Sequence, residues 1–227
     1  MNNTHSCLFS NELFDFSHTL AAKLLQSTVY PWEALPEIAD FICALGATLD
    51  PNLYTLLENN VYVAKDATIA ASACIQGPCI ICPGAEIRHG AFIRGAALIG
   101  ASAVVGNSTE LKNCILFDGV QVPHYNYVGD SILGYRAHLG AGALTSNVKS
   151  DKSHVMIKGE GFAVDTGRKK VGAMVGDLAE VGCGAVLCPG TVIGKDSTVY
   201  PLVRVRGVIP AGYIVKSENA LIKKVYP

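Results

Sequence analysis

The chain is predicted to fold as an all-β protein, a parallel β-helix over most of its length. Three observations predict it. Branched aliphatic residues recur every six positions, at Val63, Ile69, Ile75, Ile81, Ile87, Ile93, Ile99, Val105 and Leu111. Four residues after each of the first eight comes a small side chain: Ala67, Ala73, Cys79, Ala85, Ala91, Ala97, Ala103 and Thr109. Glycine is abundant, at 23 residues, while aromatics make up only 7% of the chain, which suits tight corners better than a helical bundle. Each hexad supplies one short strand and one turn, and three hexads close a triangular coil of about 18 residues. Equivalent residues of successive coils then lie about 4.8 Å apart.

Residues 1–55 do not follow the repeat and are read as a small N-terminal helical cap. Pro31, Trp32 and Glu33 mark a helix start, with proline in the first turn. Leu35, Ile38, Phe41, Ile42 and Leu45 follow at helical spacing. A second helix is expected around Ser17 to Gln26. A solenoid end exposes an unpaired rung and needs a cover, so these helices either cap the coil or pack on its side; the alternative is a helix pair that docks a partner. The β-helix domain is assigned to residues 56–215. Its period slips by one residue twice, from Leu111 to Leu116 and from Val128 to Leu133. An insertion at 146–174, polar, basic and glycine-bearing, reads as a loop or protruding arm, and long insertions of this kind carry function or an interface. The repeat resumes at Val175, Val181, Leu187, Ile193, Val199 and Val205. The tail 216–227 is expected to form a helix that closes the other end.

Composition narrows the function. The formal net charge is −1, and no basic cluster is large enough to make nucleic acid the main partner. The first residues lack a basic stretch followed by an apolar run, so no secretory signal is expected. No apolar stretch is long enough to span a bilayer, and a cytoplasmic protein is expected. Eight cysteines in 227 residues do not make a disulfide scaffold. Cys79 and Cys82 form a single CxxC. Half of a zinc site or a redox pair is one reading; the preferred one has Cys79 filling the small inward position, because no second pair completes a tetrahedron.

Arg94 and Lys112 each follow a hexad aliphatic, 18 positions apart, and should stack on one corner of adjacent coils. Two cations at that spacing repel unless an anion sits between them, and a phosphate fits, held by charge-assisted hydrogen bonds. Two solvated surface charges are the alternative. His124 lies between the two slips. His89 occupies the same position two coils earlier, and paired histidines on one corner resemble hexapeptide-repeat carbonic anhydrases. That family takes a further ligand from two histidines five residues apart; here the next histidine is His138, fourteen residues on.

The motifs G-N-S-T-E-L-K-N at 106–113, P-H-Y-N-Y-V-G-D at 123–130 and L-G-A-G-A-L-T-S-N at 139–147 resemble a specific family. It is the hexapeptide-repeat acetyltransferase domain of the bifunctional glucosamine-1-phosphate N-acetyltransferase/N-acetylglucosamine-1-phosphate uridylyltransferases. The arm sequence G-R-K-K-V-G-A at 167–173 is closer to archaeal sugar-1-phosphate nucleotidylyltransferases that also carry acetyltransferase activity. The resemblance covers roughly residues 60–205. It implies a left-handed coil, which general chirality rules would not, acetyl-CoA as co-substrate, no metal for acetyl transfer, and a homotrimer.

The resemblance also implies roles. Arg94 and Lys112 fall where the family binds the sugar phosphate, His124 on the catalytic base, and Tyr127 on a substrate-binding tyrosine. Ala141 and Asn147 fall where it meets acetyl-CoA, and Cys183 replaces a small residue there. Lys152 stands for a lysine that reaches a neighbouring subunit. His138 replaces a substrate-binding asparagine, and Val148 a tyrosine beside the coenzyme. The nucleotidyltransferase half, with its glycine-rich loop, has no counterpart in residues 1–60, so uridylyl transfer is not expected.

The expected function is acetyl-CoA-dependent N-acetylation of an amino-sugar phosphate, similar to glucosamine 1-phosphate, or of a nucleotide amino sugar. His124 would serve as base, and backbone N–H groups at 140–142 would form the oxyanion pocket. The alternatives are a non-catalytic sugar-nucleotide or scaffold module partnering a separate nucleotidyltransferase and, third, a zinc-dependent hydrase.

Overall fold

The computed structural model describes residues 5–218 and 220–225. Its architecture is the expected left-handed parallel β-helix of stacked coils. Three faces make the prism. Face I holds Val61–Ala64, Cys79–Ile81, Ala97–Ile99, Ala173–Val175, Thr191–Ile193 and Val208–Ile209. Face II holds Thr68–Ile69, Glu86–Ile87, Val104–Asn107, Gln121–His124, His138–Leu139, Glu180–Val181, Thr198–Val199 and Tyr213–Ser217. Face III holds Cys74–Gln76, Phe92–Arg94, Leu144–Thr145, Val186–Leu187 and Arg204–Val205.

The two slips have a common geometric cause. Glu110–Leu116 and Tyr127–Leu133 are continuous strands that run from face III onto face I. Each turns the III/I corner on one residue with positive φ, Asn113 at 50° and Asp130 at 47°. That corner is one residue shorter than elsewhere, so Lys112 lies opposite Gly129 and the vertical step becomes 17 rather than 18. Above the slips the step is 18, as Leu111 opposite Ile93 demonstrates.

Hexad aliphatics and small residues fill the prism, with Ile81, Ile87, Ile93, Ile99, Val105 and Leu111 all buried. Cys79 takes the small inward position, between Val61 and Ala97 in register. Burial pushes the Cys79 thiol up and the Cys82 thiol up to about 12, and all eight cysteines are free.

The N-terminal segment covers the side of the coil, not its end. Pro31–Glu37 forms a 3-10 helix that leads into the α-helix Ile38–Gly46. The Glu33 carboxylate accepts the Val29 and Tyr30 N–H groups and fixes the start. Trp32, Leu35, Ile38 and Ile42 are buried and pack on the strands of face I. The expected helix from Ser17 to Gln26 is shorter: a 3-10 turn at Phe16–His18 and a helix at Ala22–Gln26. Thr19 interrupts it by accepting the Ala21 N–H on its own hydroxyl while its backbone is extended. Asp177 clasps the segment to the coil. Its carboxylate accepts Asp15 N–H at 2.7 Å and Tyr135 N–H at 2.8 Å, and Lys195 lies 3.2 Å away.

At each end a reversed strand pairs with the last strand of one face. Tyr54–Leu57 runs antiparallel to Val61–Ala64 at one end. Ala220–Lys223 runs antiparallel to Tyr213–Ser217 at the other, so the tail is a strand where a helix was expected. Tyr213–Ser217 would otherwise leave its backbone groups unpaired, and a strand satisfies that edge where a helix would not. The 146–174 insertion does not protrude. Its hairpin, Met156–Gly159 with Phe162–Asp165, lies back along the III/I corner. Val155 and Ile157 are buried against Gly190. No helix of the described residues is long and apolar enough to cross a membrane.

Candidate functional site

Face III and its two corners gather most of the residues picked out by the sequence. His124 ends its face II strand at the II/III corner and is exposed. Its backbone is shaped by Asn126, which is 2% exposed. The Asn126 side chain accepts the His124 N–H at 3.1 Å and donates to the Gly140 and Ala143 carbonyls, both at 2.9 Å. One buried amide thus ties His124 to the next coil. Asn107 stands between His89 and His124, paired with His124 in the ladder and donating to the His89 carbonyl. The His89 ring instead bonds Ser72. Among the described residues, no group of three or more His, Cys, Asp or Glu converges on a metal position.

Tyr127 opens the face III strand three residues after His124, and its ring lies over Gly129, where a Cβ would come within 2.4 Å of the hydroxyl. Burial, then the nearby Asp130 and Glu110 carboxylates, push the phenol up. It stays protonated and can donate. Gly129 ends this row and lies opposite Lys112. His124 and Lys112 therefore bracket one face. Gly129 lies five positions after His124, a span of about 16 Å in extended chain.

At the III/I corner the cations are not bare. Arg94 donates to Glu110 at 2.8 Å, and Lys112 to Asp130 at 3.4 Å. Asn147 joins the cluster, donating to Asp130 and to the Tyr127 hydroxyl. Lys112, Asp130, Asn147 and Tyr127 thus form one hydrogen-bonded group, and the Arg94–Glu110 pair stands beside it, Glu110 lying opposite Tyr127 in the ladder. The expectation of an uncompensated cation pair is corrected: Glu110 and Asp130 already offset the repulsion. Arg94 and Lys112 keep further N–H groups for an anion.

The remaining residues divide. Ala141 and Cys183 stand on the His124 corner, joined by Gly184 N–H to the Ala141 carbonyl. Asn147 stands on the other, so the three expected coenzyme contacts do not share a corner. His138 lies on face II, opposite Gln121, with its Nδ1 2.8 Å from Glu180. It does not reach face III of its own chain. Lys152 is exposed on the arm. The expected oxyanion pocket is also corrected. Gly140 N–H is spent on the Val181 carbonyl and Gly142 N–H on that of His124, because both belong to the coil's own ladder. Of the three N–H groups, only that of Ala141 has no partner among the described residues.

Where the arm folds back it leaves a cleft of about 440 Å³. Val148, Met156 and Pro189 give it apolar walls, and Lys149, Lys158 and Arg206 supply charge. Lys149 is paired with Asp151. Lys158 and Arg206 have no ion pair among the described residues. The sequence did not point to Glu110, Asp130, Asn126, Lys158 or Arg206. Asp130 was within reach, since it stands 18 positions after Lys112, the regular step of the repeat.

Residues 75–167 match the family model described as the GMPPB C-terminal domain. A bifunctional sugar-1-phosphate nucleotidylyltransferase/acetyltransferase of Sulfurisphaera tokodaii is 34% identical over 94 residues, which cover 41% of this chain and 23% of that protein. The bifunctional protein GlmU of Methanococcus maripaludis is 31% identical over 118 residues, 52% of this chain and 28% of that one. The chain spans about a quarter of the length of these curated relatives. Among solved structures, the acetyltransferase domain of PglB from Neisseria gonorrhoeae, in complex with acetyl coenzyme A, aligns with 69% of this chain and 54% of its own, at 22% identity and a TM-score of 0.32. The family resemblance carried by the motifs at 106–147 is thus found again by independent comparison.

Proposed function

We propose that the protein is an acetyl-CoA-dependent N-acetyltransferase acting on an amino-sugar phosphate, similar to glucosamine 1-phosphate, or on a nucleotide amino sugar. The observation that carries it is the layout of face III. A histidine stands at one edge and the cations Arg94 and Lys112 at the other, with Tyr127 between them.

In this reading Arg94, Lys112 and the protonated Tyr127 hold the phosphate. They set the sugar amine toward the His124 corner. His124 takes the proton of the amine as its nitrogen attacks the thioester carbonyl, and when the tetrahedral intermediate collapses the C–S bond breaks and the sulfur leaves as the thiol with the proton returned from His124. The Ala141 N–H is the donor left for the oxyanion. The cleft beneath the arm fits coenzyme A in kind: apolar walls for the pantetheine chain, and Lys158 and Arg206 for phosphate groups. No metal has a part in these steps.

A homotrimer belongs to the same reading. Face III turns Phe92, Tyr127, Leu144 and Val186 outward, each half-buried, and a second copy would cover them. That arrangement would bring His138 of the partner subunit toward the phosphate row.

The test is thiol release from acetyl-CoA with glucosamine 1-phosphate. His124→Ala should lose about 10²–10⁴ in rate with unchanged thermal stability, since the side chain is exposed. An undiminished rate would remove His124 as base. No release with any amino-sugar phosphate, together with no acetyl-CoA binding by calorimetry, rejects the enzyme. The second reading, a non-catalytic scaffold module, is favoured by the carboxylates already paired with Arg94 and Lys112, which compete with a phosphate for those cations. It predicts co-purification with a separate nucleotidyltransferase and no turnover.

A further inference from the structure

Asp130 is a carboxylate only 4% exposed, placed where the shortened corner turns. A buried charge of this kind persists only when it is paired and hydrogen-bonded. Its Oδ1 accepts Asn113 Nδ2 at 2.9 Å. Its Oδ2 accepts Asn147 Nδ2 at 2.5 Å and Lys112 Nζ at 3.4 Å. One oxygen therefore serves both the lysine read as a phosphate ligand and the asparagine read as a coenzyme ligand.

Counting donors on Asn147 gives the consequence. A primary amide has two N–H groups. One goes to Asp130 and the other to the Tyr127 hydroxyl at 3.3 Å. Both are spent, and the flipped amide would set its carbonyl against a carboxylate. Only Oδ1 is left for a ligand. The Tyr127 hydroxyl, having accepted from Asn147, keeps its own hydrogen to give. The corner therefore has a fixed polarity: Asn147 accepts, while Tyr127 and Lys112 donate.

We infer that Asp130 is a positioning residue that locks Asn147 as an acceptor for a ligand N–H group, such as a secondary amide, and couples it to the phosphate-facing Lys112. This rests on the acetyltransferase reading. It extends it by tying the two substrates' contacts to one buried group that touches neither.

The experiment is a double-mutant cycle on kcat/KM, with glucosamine 1-phosphate and acetyl-CoA as substrates. Lys112→Met, Asn147→Ala and the double variant are measured first in the otherwise native protein. Their effects should be non-additive by about threefold or more. In an Asp130→Asn background the same pair should become additive. Asp130→Asn alone should raise KM for both substrates more than it lowers kcat, which a general loss of folded protein would not do. Additive effects in the native background overturn the inference, and this holds even if Asp130→Asn does not fold. Non-additivity that survives Asp130→Asn also overturns it, because the coupling then runs elsewhere. A wild-type protein without turnover on any amino-sugar phosphate removes the acetyltransferase reading and the inference together, whereas turnover with an additive cycle removes the inference alone.

Discussion

Faces I and III are built from the same hexad but treat their outward position in opposite ways. On face I the outward row runs Tyr62, Ile80, Leu98, Ile115, Ile132, Met174, Val192 and Val208; the six between its ends have no exposed surface, while Tyr62 is 7% exposed and Val208 half-buried. The N-terminal helices lie over it. On face III the row is Cys74, Phe92, Glu110, Tyr127, Leu144, Val186 and Arg204, and none of these is fully buried. A continuous aliphatic row is covered by the chain itself. A mixed row of aromatic, aliphatic and charged residues is left for something else. The inward positions make the coil, while the outward positions decide which side is finished.

The comparison can be broken most forcefully at Trp32. It is 2% exposed, stacked on Tyr30 at 4.5 Å, and sits over face I. Trp32→Ala should cost about 3–5 kcal/mol in denaturant unfolding. A cost below about 1 kcal/mol would mean that face I does not depend on its cover.

The next effect concerns assembly. Phe92→Glu puts a charge into the outward row of face III without touching the inward core. It should weaken self-association by about thirtyfold or more, read by sedimentation, while leaving the protomer folded. An unchanged sedimentation profile would show that face III is not an interface between copies.

The smallest effect lies at the seam of the cover, where Asp118 N–H meets the His18 carbonyl at 3.0 Å. Burial raises the Asp118 carboxyl above its ordinary value, against the lowering effects of the Ala101 N–H and His18. The folded state therefore holds this proton more tightly than the unfolded chain does. Stability falls as pH rises from the unfolded value near 4 through the folded one. Asp118→Asn should flatten that slope, with a gain at neutral pH of about 1 kcal/mol or less, measured by thermal unfolding across pH. A steeper slope in the variant would contradict the sign.

The inward pattern was fully legible, because a period of six with fixed large and small positions has one packing solution. The shortened corners were legible too, as five-residue steps. The cover over face I could have been read from C-I-I, A-L-I, C-I-L and A-M-V, where a second aliphatic precedes the hexad residue on every third strand. Capping the coil and packing on its side were both left open, because a single extra aliphatic is ordinary until the coils are stacked. The tail was misassigned because Ala220 to Lys223 is short enough to suit a helix or a strand, and only the exposed edge beside it decides. In the site, the cations were seen and their carboxylates were not. Glu110 meets Arg94 and Asp130 meets Lys112 across coils, so the pairing depends on which side of the corner each side chain leaves. The spent N–H groups at Gly140 and Gly142 belong to the ladder between coils and leave no trace in composition.

The reversed strands at Tyr54–Leu57 and Ala220–Lys223 set the length of the molecule. A parallel stack has no natural stopping point, since each coil offers the next one the same backbone groups. Turning the chain around once at each end replaces that invitation on one face with a strand of opposite direction. The number of coils between the two reversals is then free to vary. Removing or duplicating one whole coil would shift the ends without altering how either is finished.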